Sequence, residues 1–301
     1  MCRTPLTIKN KIPQITSEGV SRFRVVPCGK CYQCLSRRQR AWTFRLLQQA
    51  KDCTSCSFIT LTYNDKHLPY SPSGFPSLKR RDYTDFMKRL RKKINAYYPN
   101  NPKLKYYACG EYGGETHRPH FHAIMYNLPL DHVTMTDMDA ETNTVTNNNL
   151  KGTWQKGHVD VVPGNEGTMA YVAKYIMKKT YKDRQIIDYD SGEVLEDDRE
   201  PEYSVMSKKL GLNYLTDQTI KHHKDNEKPF IHVNGHPMAL PRYFKERLFS
   251  KPQRRVMARL AADLRREQLE QDDLINITLS HDKIRHEEYI HKRALKLRRK
   301  I

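Results

Sequence analysis

His120 and His122 stand one residue apart inside the apolar stretch 119–126, whose composition is typical of a β-strand. Side chains alternate across a strand, so both histidines share one face while Phe121 points into the core. Two imidazoles held side by side on rigid backbone offer two of the ligands that a metal ion needs. The pair therefore constrains this part of the chain to a sheet and predicts a metal site on one of its faces.

Glu111 is the candidate third ligand, because it lies shortly before a Gly113-Gly114 pair that predicts a turn between two antiparallel strands. A neighbouring strand could then aim the Glu111 carboxylate at the same point as the two imidazoles. Alternating histidines also occur on the polar faces of ordinary edge strands, so the prediction depends on what surrounds them.

A helical pattern over residues 169–179 follows about fifty residues later. It places two phenols and two ammonium groups at i, i+3, i+4 and i+7, on one face: Tyr171, Lys174, Tyr175 and Lys178. A separate apolar face is formed by Val172, Ala173, Ile176 and Met177. We therefore expect the tyrosines and lysines to be available for chemistry, although such a stripe can also pack on the core with snorkelling lysines.

A tyrosine near a metal ion suggests cleavage of a phosphodiester by a phenol oxygen. The phenol has a reference pKa of about 10 and must lose its proton during attack or be acidified by positive charge. Lys174, Lys178 and the metal could supply that charge. A divalent cation held by Glu111, His120 and His122 would polarise the scissile phosphate. Mg²⁺ or Mn²⁺ suits a nuclease and Zn²⁺ also fits the ligands, so the metal stays open.

The charge of the chain favours a polyanionic partner. The sequence has 53 Lys and Arg against 34 Asp and Glu, with a formal net charge of +19 and a pI near 9.6. Neutralising phosphates and releasing their counterions drives binding to nucleic acid, and a membrane surface is the alternative. No apolar run approaches the roughly 18–20 residues that span a bilayer, and the N-terminus lacks a secretory segment. We expect a soluble, intracellular protein with no membrane partner.

Seven cysteines, an odd number without a secretion signal, argue against a disulfide framework. Cys28, Cys31 and Cys34 could bind a structural Zn²⁺, with Cys2 completing a tetrahedral site. The same spacing would also place three thiols on a buried helical face. The second pair, Cys53 and Cys56, follows a predicted helix over residues 35–52, which at about 1.5 Å per residue would hold the two groups roughly 27 Å apart.

The predicted elements alternate as strand, helix, strand, strand, strand and helix, over residues 57–63, 77–98, 105–110, 119–127, 157–162 and 169–179. This order predicts an α+β fold, a ferredoxin-like antiparallel sheet with helices on one face. Residues 131–149 indicate a flexible insertion and the acidic residues 188–202 a boundary. We expect a Cys-rich basic N-terminal segment (1–56), a catalytic domain (57–185) and a C-terminal extension (186–301) that is largely helical and basic.

Several of these motifs occur together in one known family. They are Phe58-Ile59-Thr60-Leu61-Thr62, Gly110-Glu111 with the two histidines, Trp154 with Gly157-His158-Val159, and the Tyr-x-x-Lys-Tyr run at 171–175. Over residues 57–180 the chain resembles the replication initiators of small single-stranded DNA phages, close to the gokushovirus branch of the microviruses. These initiators belong to the HUH endonuclease superfamily.

The resemblance implies an HUH endonuclease core in which Glu111, His120 and His122 bind the divalent metal. It implies that Tyr171 is a nucleophile accompanied by Lys174, and that Tyr175 is the second tyrosine of a paired arrangement. The implied reaction nicks the replication origin, leaves a 5′-phosphotyrosine, and frees a 3′-hydroxyl that primes rolling-circle synthesis. The second tyrosine would cleave the regenerated origin, so that the released strand can be circularised.

The implied partners are single-stranded and origin DNA in the cytoplasm of a bacterial host. The sequence contains no G-x-x-x-x-G-K-[ST] motif, so a host helicase would be needed beside the host DNA polymerase. A mobilisation relaxase or a single-strand transposase would share the same chemistry. A non-catalytic, zinc-containing nucleic-acid-binding regulator is the alternative from another class.

Overall fold

The computed structural model describes residues 2–16, 19–114, 116–129, 136–139, 144–175, 185–187, 194–225, 228–233 and 235–258, in two compact units, Met1–Gly211 and Leu212–Ile301. The strands are β1 (Leu6–Thr16), β2 (Gly19–Val26), β3 (Cys56–Tyr63), β4 (Lys105–Tyr112), β5 (Pro119–Tyr126), β6 (Thr136–Asp139), β7 (Thr144–Asn147), β8 (Gly157–Pro163), β9 (Gln185–Ile187), β10 (Val194–Glu196), β11 (Tyr203–Met206), β12 (Phe230–Val233) and β13 (His236–Ala239). The helices are α1 (Tyr32–Ala50), α2 (Arg80–Tyr97), α3 (Asn148–Trp154), α4 (Glu166–Lys174), α5 (Asp217–Asp225) and α6 (Arg242–Leu248), and residues 251–258 are also helical.

A five-stranded sheet organises the first unit, with the strand order β11-β4-β5-β3-β8 and antiparallel neighbours throughout. The expected α+β class with an antiparallel sheet is thus confirmed. The edge strand β11 is an addition to the predicted elements, since its residues fall in the expected C-terminal extension. Because Tyr203 pairs with Gly110, the unit continues to Gly211. The boundaries 57–185 of a catalytic domain stay a prediction.

One face of the sheet is covered by α2 and α3. Strand β3 alternates strictly between buried and half-buried residues, and Ile59 and Leu61 point to this face. Helix α2 presents apolar side chains at helical spacing, of which Phe86 and Leu90 are fully buried in the same cluster. Trp154 of α3 completes that core.

The opposite face is covered by α1 and α4, so helices lie on both faces and the expectation of helices on one face was wrong. Leu46 of α1 and Val172 of α4 pack with Ile124 and Tyr126 of β5 in a second buried cluster. The physical reason lies in β5 itself, which is almost entirely buried. A strand that is apolar on both sides needs cover on both sides.

Several sequence predictions concern segments that the structure describes only in part. The expected insertion at 131–149 contains the hairpin β6–β7 and the start of α3, and residues 131–135 and 140–143 lie outside the described residues. The same holds for 188–193 of the acidic stretch and for the predicted basic helix beyond residue 258. Among the described helices, none is both long and apolar enough to cross a membrane.

Replacing Gly157 by Ala should destabilise the sheet. Its φ of +149° disfavours other residues, and an added Cβ would collide with the main-chain oxygen of Thr62 and lie 2.5 Å from the main-chain nitrogen of Asn64. We expect Gly157→Ala to lower the free energy of unfolding by about 3 kcal/mol, measured by urea denaturation.

Gly152 is the matched control, because it lies in α3 and an added Cβ there meets nothing within 4 Å. Gly152→Ala should raise the free energy of unfolding by roughly 0.5–1 kcal/mol, since alanine favours a helix. Equal denaturation midpoints for the two variants would contradict the described packing of Gly157 on β3.

Candidate active site

The register of β4 and β5 brings the three predicted metal ligands together. Glu111 stands directly opposite His120, and Cys109 stands opposite His122, so alternation puts all four side chains on one face. The Nε2 atoms of His120 and His122 lie 2.8 and 2.9 Å from Oε1 of Glu111. The three ligand atoms lie within 4.8 Å of one another. The sheet therefore arranges the predicted group around a single point.

The outer nitrogens of both imidazoles are held by neighbours. Nδ1 of His120 lies 3.0 Å from the main-chain oxygen of Arg118, which can only accept, so Nδ1 carries the proton. Nδ1 of His122 lies 3.0 Å from Oγ1 of Thr60 on the adjacent strand β3. Partners of this kind orient histidine ligands in metal sites. In the neutral form of His120 the inward Nε2 then directs a lone pair at the site, so the donor set fits a divalent cation.

Burial sharpens this fit. Glu111 is 2% exposed and His122 is 7% exposed, so the carboxylate is almost completely removed from water. A buried carboxylate is costly unless positive charge or hydrogen bonds compensate it. A divalent cation between the imidazoles and the carboxylate would supply that compensation.

Tyr171 lies on α4 beside this group. An N-terminal capping box starts the helix, in which Asn165 Oδ1 accepts a hydrogen bond from the Thr168 N–H at 2.9 Å. The Tyr171 ring is 5.4 Å from the His122 ring and 6.0 Å from that of Phe58, both edge to face. The residue is 43% exposed. Its phenol is therefore accessible to a large substrate while its ring rests against the metal group.

Tyr175 occupies a different environment. Helix α4 ends at Lys174, so Tyr175 is the C-cap residue and is only 7% exposed. Its ring stacks on His122 at 5.8 Å with an interplanar angle of 20°. The pKa of Tyr175 is raised well above its usual value, mainly by burial, then by a hydrogen bond with Tyr171 and by the negative charge of Glu111.

The expectation that both tyrosines are free of the core was wrong for Tyr175. It belongs to the buried cluster that contains Met169 and Val172, because the short helix turns its last residue towards the sheet. Lys174 is exposed at the helix end, as a neighbour of the two tyrosines in sequence. Lys178 lies outside the described residues.

Sequence reasoning missed residues of β3 and β8 on the same face. The register places Thr60 between His122 and Asp160, on the two adjacent strands. Burial raises the pKa of Asp160, while the nearby imidazoles of His158 and His122 lower it. The alternation of His158 and Asp160 in a short predicted strand was the available signal. Only the pairing of that strand with β3 reveals that they face the metal group.

A second cluster of possible metal ligands joins three parts of the N-terminal region. The thiols of Cys2, Cys28, Cys31 and Cys34 lie within 4.8 Å of one another. The Cys28 N–H donates to Cys2 Sγ at 3.2 Å, and the two sulfurs of Cys31 and Cys2 are 3.7 Å apart. Hydrogen bonds from the Thr4 side chain and from the N–H groups of Cys31 and Lys30 lower the pKa of Cys28 to about 5. The four cysteines could therefore hold a metal ion.

The remaining cysteines take no part in this cluster. Cys53 and Cys56 follow α1, whose 19 residues correspond to about 28 Å of helix. The Cys53 thiol donates to the main-chain oxygen of Ala50 at 3.2 Å. Within the described part of the chain, the first Cys-x-x-Cys pair thus shares a cluster with Cys2 and Cys34, and the second pair does not.

Comparison with known proteins relates the chain to viral replication. Residues 56–180 match the model of a family described as replication-associated protein ORF2. The chain is 30% identical over 228 residues to replication-associated protein ORF2 of Spiroplasma virus 4. It is 28% identical over 233 residues to replication-associated protein ORF4 of Chlamydia phage 1, and 30% identical over 158 residues to replication-associated protein VP4 of Bdellovibrio phage phiMH2K.

The matched regions cover 74%, 74% and 51% of this chain, respectively. They cover 67% of the Spiroplasma virus protein, 53% of the Chlamydia phage protein and 48% of the Bdellovibrio phage protein. No solved structure matches the chain significantly. With both its central region and its longer alignments matched to such proteins, the chain belongs to the replication-associated proteins of small single-stranded DNA phages.

Proposed function

We propose that the protein initiates rolling-circle replication as a metal-dependent, site-specific endonuclease of the HUH type that cuts and rejoins single-stranded DNA. The observation that carries the proposal is the meeting of two imidazoles and a buried carboxylate beside an exposed tyrosine, whose ring lies 5.4 Å from that of His122. Membership of the family of phage replication-associated proteins supports it.

In this proposal Glu111, His120 and His122 hold a Mg²⁺ or Mn²⁺ ion. When bound, the cation would polarise the scissile phosphate and offset the charge of the in-line transition state. The Tyr171 oxygen attacks the phosphorus and releases its proton, and the bond from phosphorus to the 3′-oxygen breaks. The 5′-phosphate remains on Tyr171, and the 3′-oxygen takes up a proton as a free hydroxyl that primes synthesis.

The same residue rejoins DNA in the reverse direction, when a 3′-hydroxyl attacks the phosphotyrosine and restores the phenol. Lys174 lies three residues after Tyr171 and is exposed. We assign it to neutralising phosphate charge near the attacking oxygen, a role that fits an ammonium on the same helical face.

The order of attack follows from the difference between the two tyrosines. Tyr171 is exposed, whereas Tyr175 is buried with a pKa raised by that burial. A phenol that resists losing its proton and cannot meet DNA is a poor first nucleophile. Tyr171 therefore makes the first cut, and Tyr175 supports it by packing on His122 until the second cleavage. Origin DNA is the substrate, and a host helicase and a host DNA polymerase act with the protein.

A covalent adduct should form through Tyr171. Wild-type protein incubated with Mn²⁺ and a labelled single-stranded oligonucleotide bearing the origin should give an adduct that survives SDS, because the phosphotyrosine bond is covalent. Tyr171→Phe should reduce the adduct at least about 100-fold, since phenylalanine has no nucleophilic oxygen. Tyr175→Phe should retain adduct formation on the first cut.

Tyr97→Phe is the matched control, because Tyr97 is exposed at the end of α2 on the other face of the sheet. It should behave as the wild type. Adduct formation by the Tyr171→Phe variant at the wild-type level would refute the assignment of the nucleophile. DNA binding by the wild type without any adduct, over several origin sequences and metals, would favour a non-catalytic regulator.

Cleavage should require the metal group. EDTA should abolish cleavage, and Glu111→Gln should lower the rate at least about 100-fold in Mn²⁺, because a neutral amide binds a divalent cation poorly. The measurement is the rate of oligonucleotide cutting together with calorimetric Mn²⁺ binding. Glu166→Gln removes an exposed carboxylate at the start of α4 and should leave both quantities close to wild type. Unchanged Mn²⁺ binding by Glu111→Gln would contradict the assignment.

The second cluster is proposed to hold a structural Zn²⁺, with Cys2, Cys28, Cys31 and Cys34 as ligands. Four thiolates in a tetrahedral arrangement are the usual structural zinc site. The convergence of four thiols from the N-terminus, a loop and the start of α1 supports this assignment. Zinc would then stabilise a region whose described apolar side chains are largely exposed.

Metal analysis tests this site. Purified protein should contain about one zinc per chain, and Cys34→Ser should lose it and lower Tm by more than about 5 °C. Cys53→Ser is the control, since Cys53 lies outside the cluster, and it should keep its zinc. Zinc retained by Cys34→Ser, or absent from the wild type after refolding with Zn²⁺, would exclude the site.

A further inference from the structure

The two strands β1 and β2 form a ribbon that pairs with no other strand among the described residues. Large apolar side chains on it are exposed, including Phe23 at 57% and Val25 at 69%. These two residues lie on one face, and the exposed Arg22 and Arg24 lie on the other, because side chains alternate along β2. Both faces of the ribbon therefore present side chains to the surroundings.

The ribbon is held at its base by the cysteine cluster. Cys2 lies just before β1, Cys28 lies just after β2, and Cys31 is the N-cap residue of α1. A two-stranded ribbon without a core is marginally stable on its own, so a cross-link at this position fixes both strands. Gln39 of α1 in turn donates to the main-chain oxygen of Ala170 in α4 at 3.3 Å. The ribbon is thus anchored to the helix that carries Tyr171.

Positive charge dominates the ribbon and its base. Residues 1–31 contain six Lys and Arg and a single Glu. Within the described side chains, Lys9 stands opposite Phe23, and Ile8 stands opposite Arg24. Cationic and apolar groups therefore occur on both faces.

We propose that the ribbon β1–β2 binds duplex DNA beside the segment that is cut, with Arg22 and Arg24 as phosphate or base contacts. The proposal rests on the proposed function and adds a second contact with the same substrate. The major groove, about 12 Å wide, admits a two-stranded ribbon. Exposed apolar groups such as Phe23 can contact deoxyribose and thymine methyl groups there, while the arginines neutralise phosphates.

The ribbon suits a duplex better than a single strand. Single strands are generally held in a charged groove by aromatic rings that stack on successive bases. Phe23 is the only aromatic residue between Leu6 and Val26, and the ribbon has two exposed faces instead of a groove.

The test is the double variant Arg22→Ala/Arg24→Ala. Fluorescence anisotropy would measure its affinity for a labelled origin duplex and for a labelled single strand over a range of salt concentrations. We expect the duplex affinity to fall about 10-fold more than the single-strand affinity, and the salt slope for the duplex to decrease by about 2. Zinc content equal to the wild type would show that the ribbon base is intact.

Arg81→Ala/Lys92→Ala is the matched control, because it removes two exposed charges from α2. It should bind the duplex with nearly wild-type affinity. Unchanged duplex affinity in Arg22→Ala/Arg24→Ala would overturn the proposal, and so would equal losses for duplex and single strand. Adduct formation by the wild type tests the proposed function separately: failure there with selective loss of duplex affinity here would leave the ribbon assignment standing.

Discussion

The pairing register of β4 and β5 is the constraint on which the candidate site depends. A slip by one residue would move Glu111 to the opposite face, away from both histidines. The connecting turn secures the register, since the Gly113 N–H donates to the main-chain oxygen of Arg118 at 2.9 Å and His117 adopts a φ of +52°. The Arg118 guanidinium also donates to the main-chain oxygen of Tyr63 at 2.8 Å, which ties the turn to β3.

The central strands serve two cores and one polar site. Phe121 packs towards α2, whereas His120 and His122 on either side of it face the tyrosine helix. The second core continues from the site towards Tyr126, whose hydroxyl donates to the main-chain oxygen of Leu46 at 2.9 Å. Because the strands are fixed by packing on both faces, the ligand atoms are positioned by rigid backbone, which favours a well-defined metal geometry.

Local patterns made the central features predictable. The two-residue period of a strand was enough to place His120 and His122 together, and the glycine pair was enough to bring Glu111 beside them. The burial of Tyr175 depends on where α4 ends, and the position of β11 depends on four residues that pair far along the chain. Such tertiary choices leave little trace in a single sequence, as does the approach of Asp160 through β3.

The end of α4 at Lys174 separates the two tyrosines mechanically. Tyr171 lies within the helix, so displacing its main chain would disturb the helical hydrogen bonds around it. Tyr175 is the cap, and its N–H makes a 3.3 Å hydrogen bond with the Val172 oxygen. It can therefore leave its position at the cost of fraying one helix end, which is the least stable part of a helix. The same short helix thus combines a rigidly mounted side chain with a hinged one.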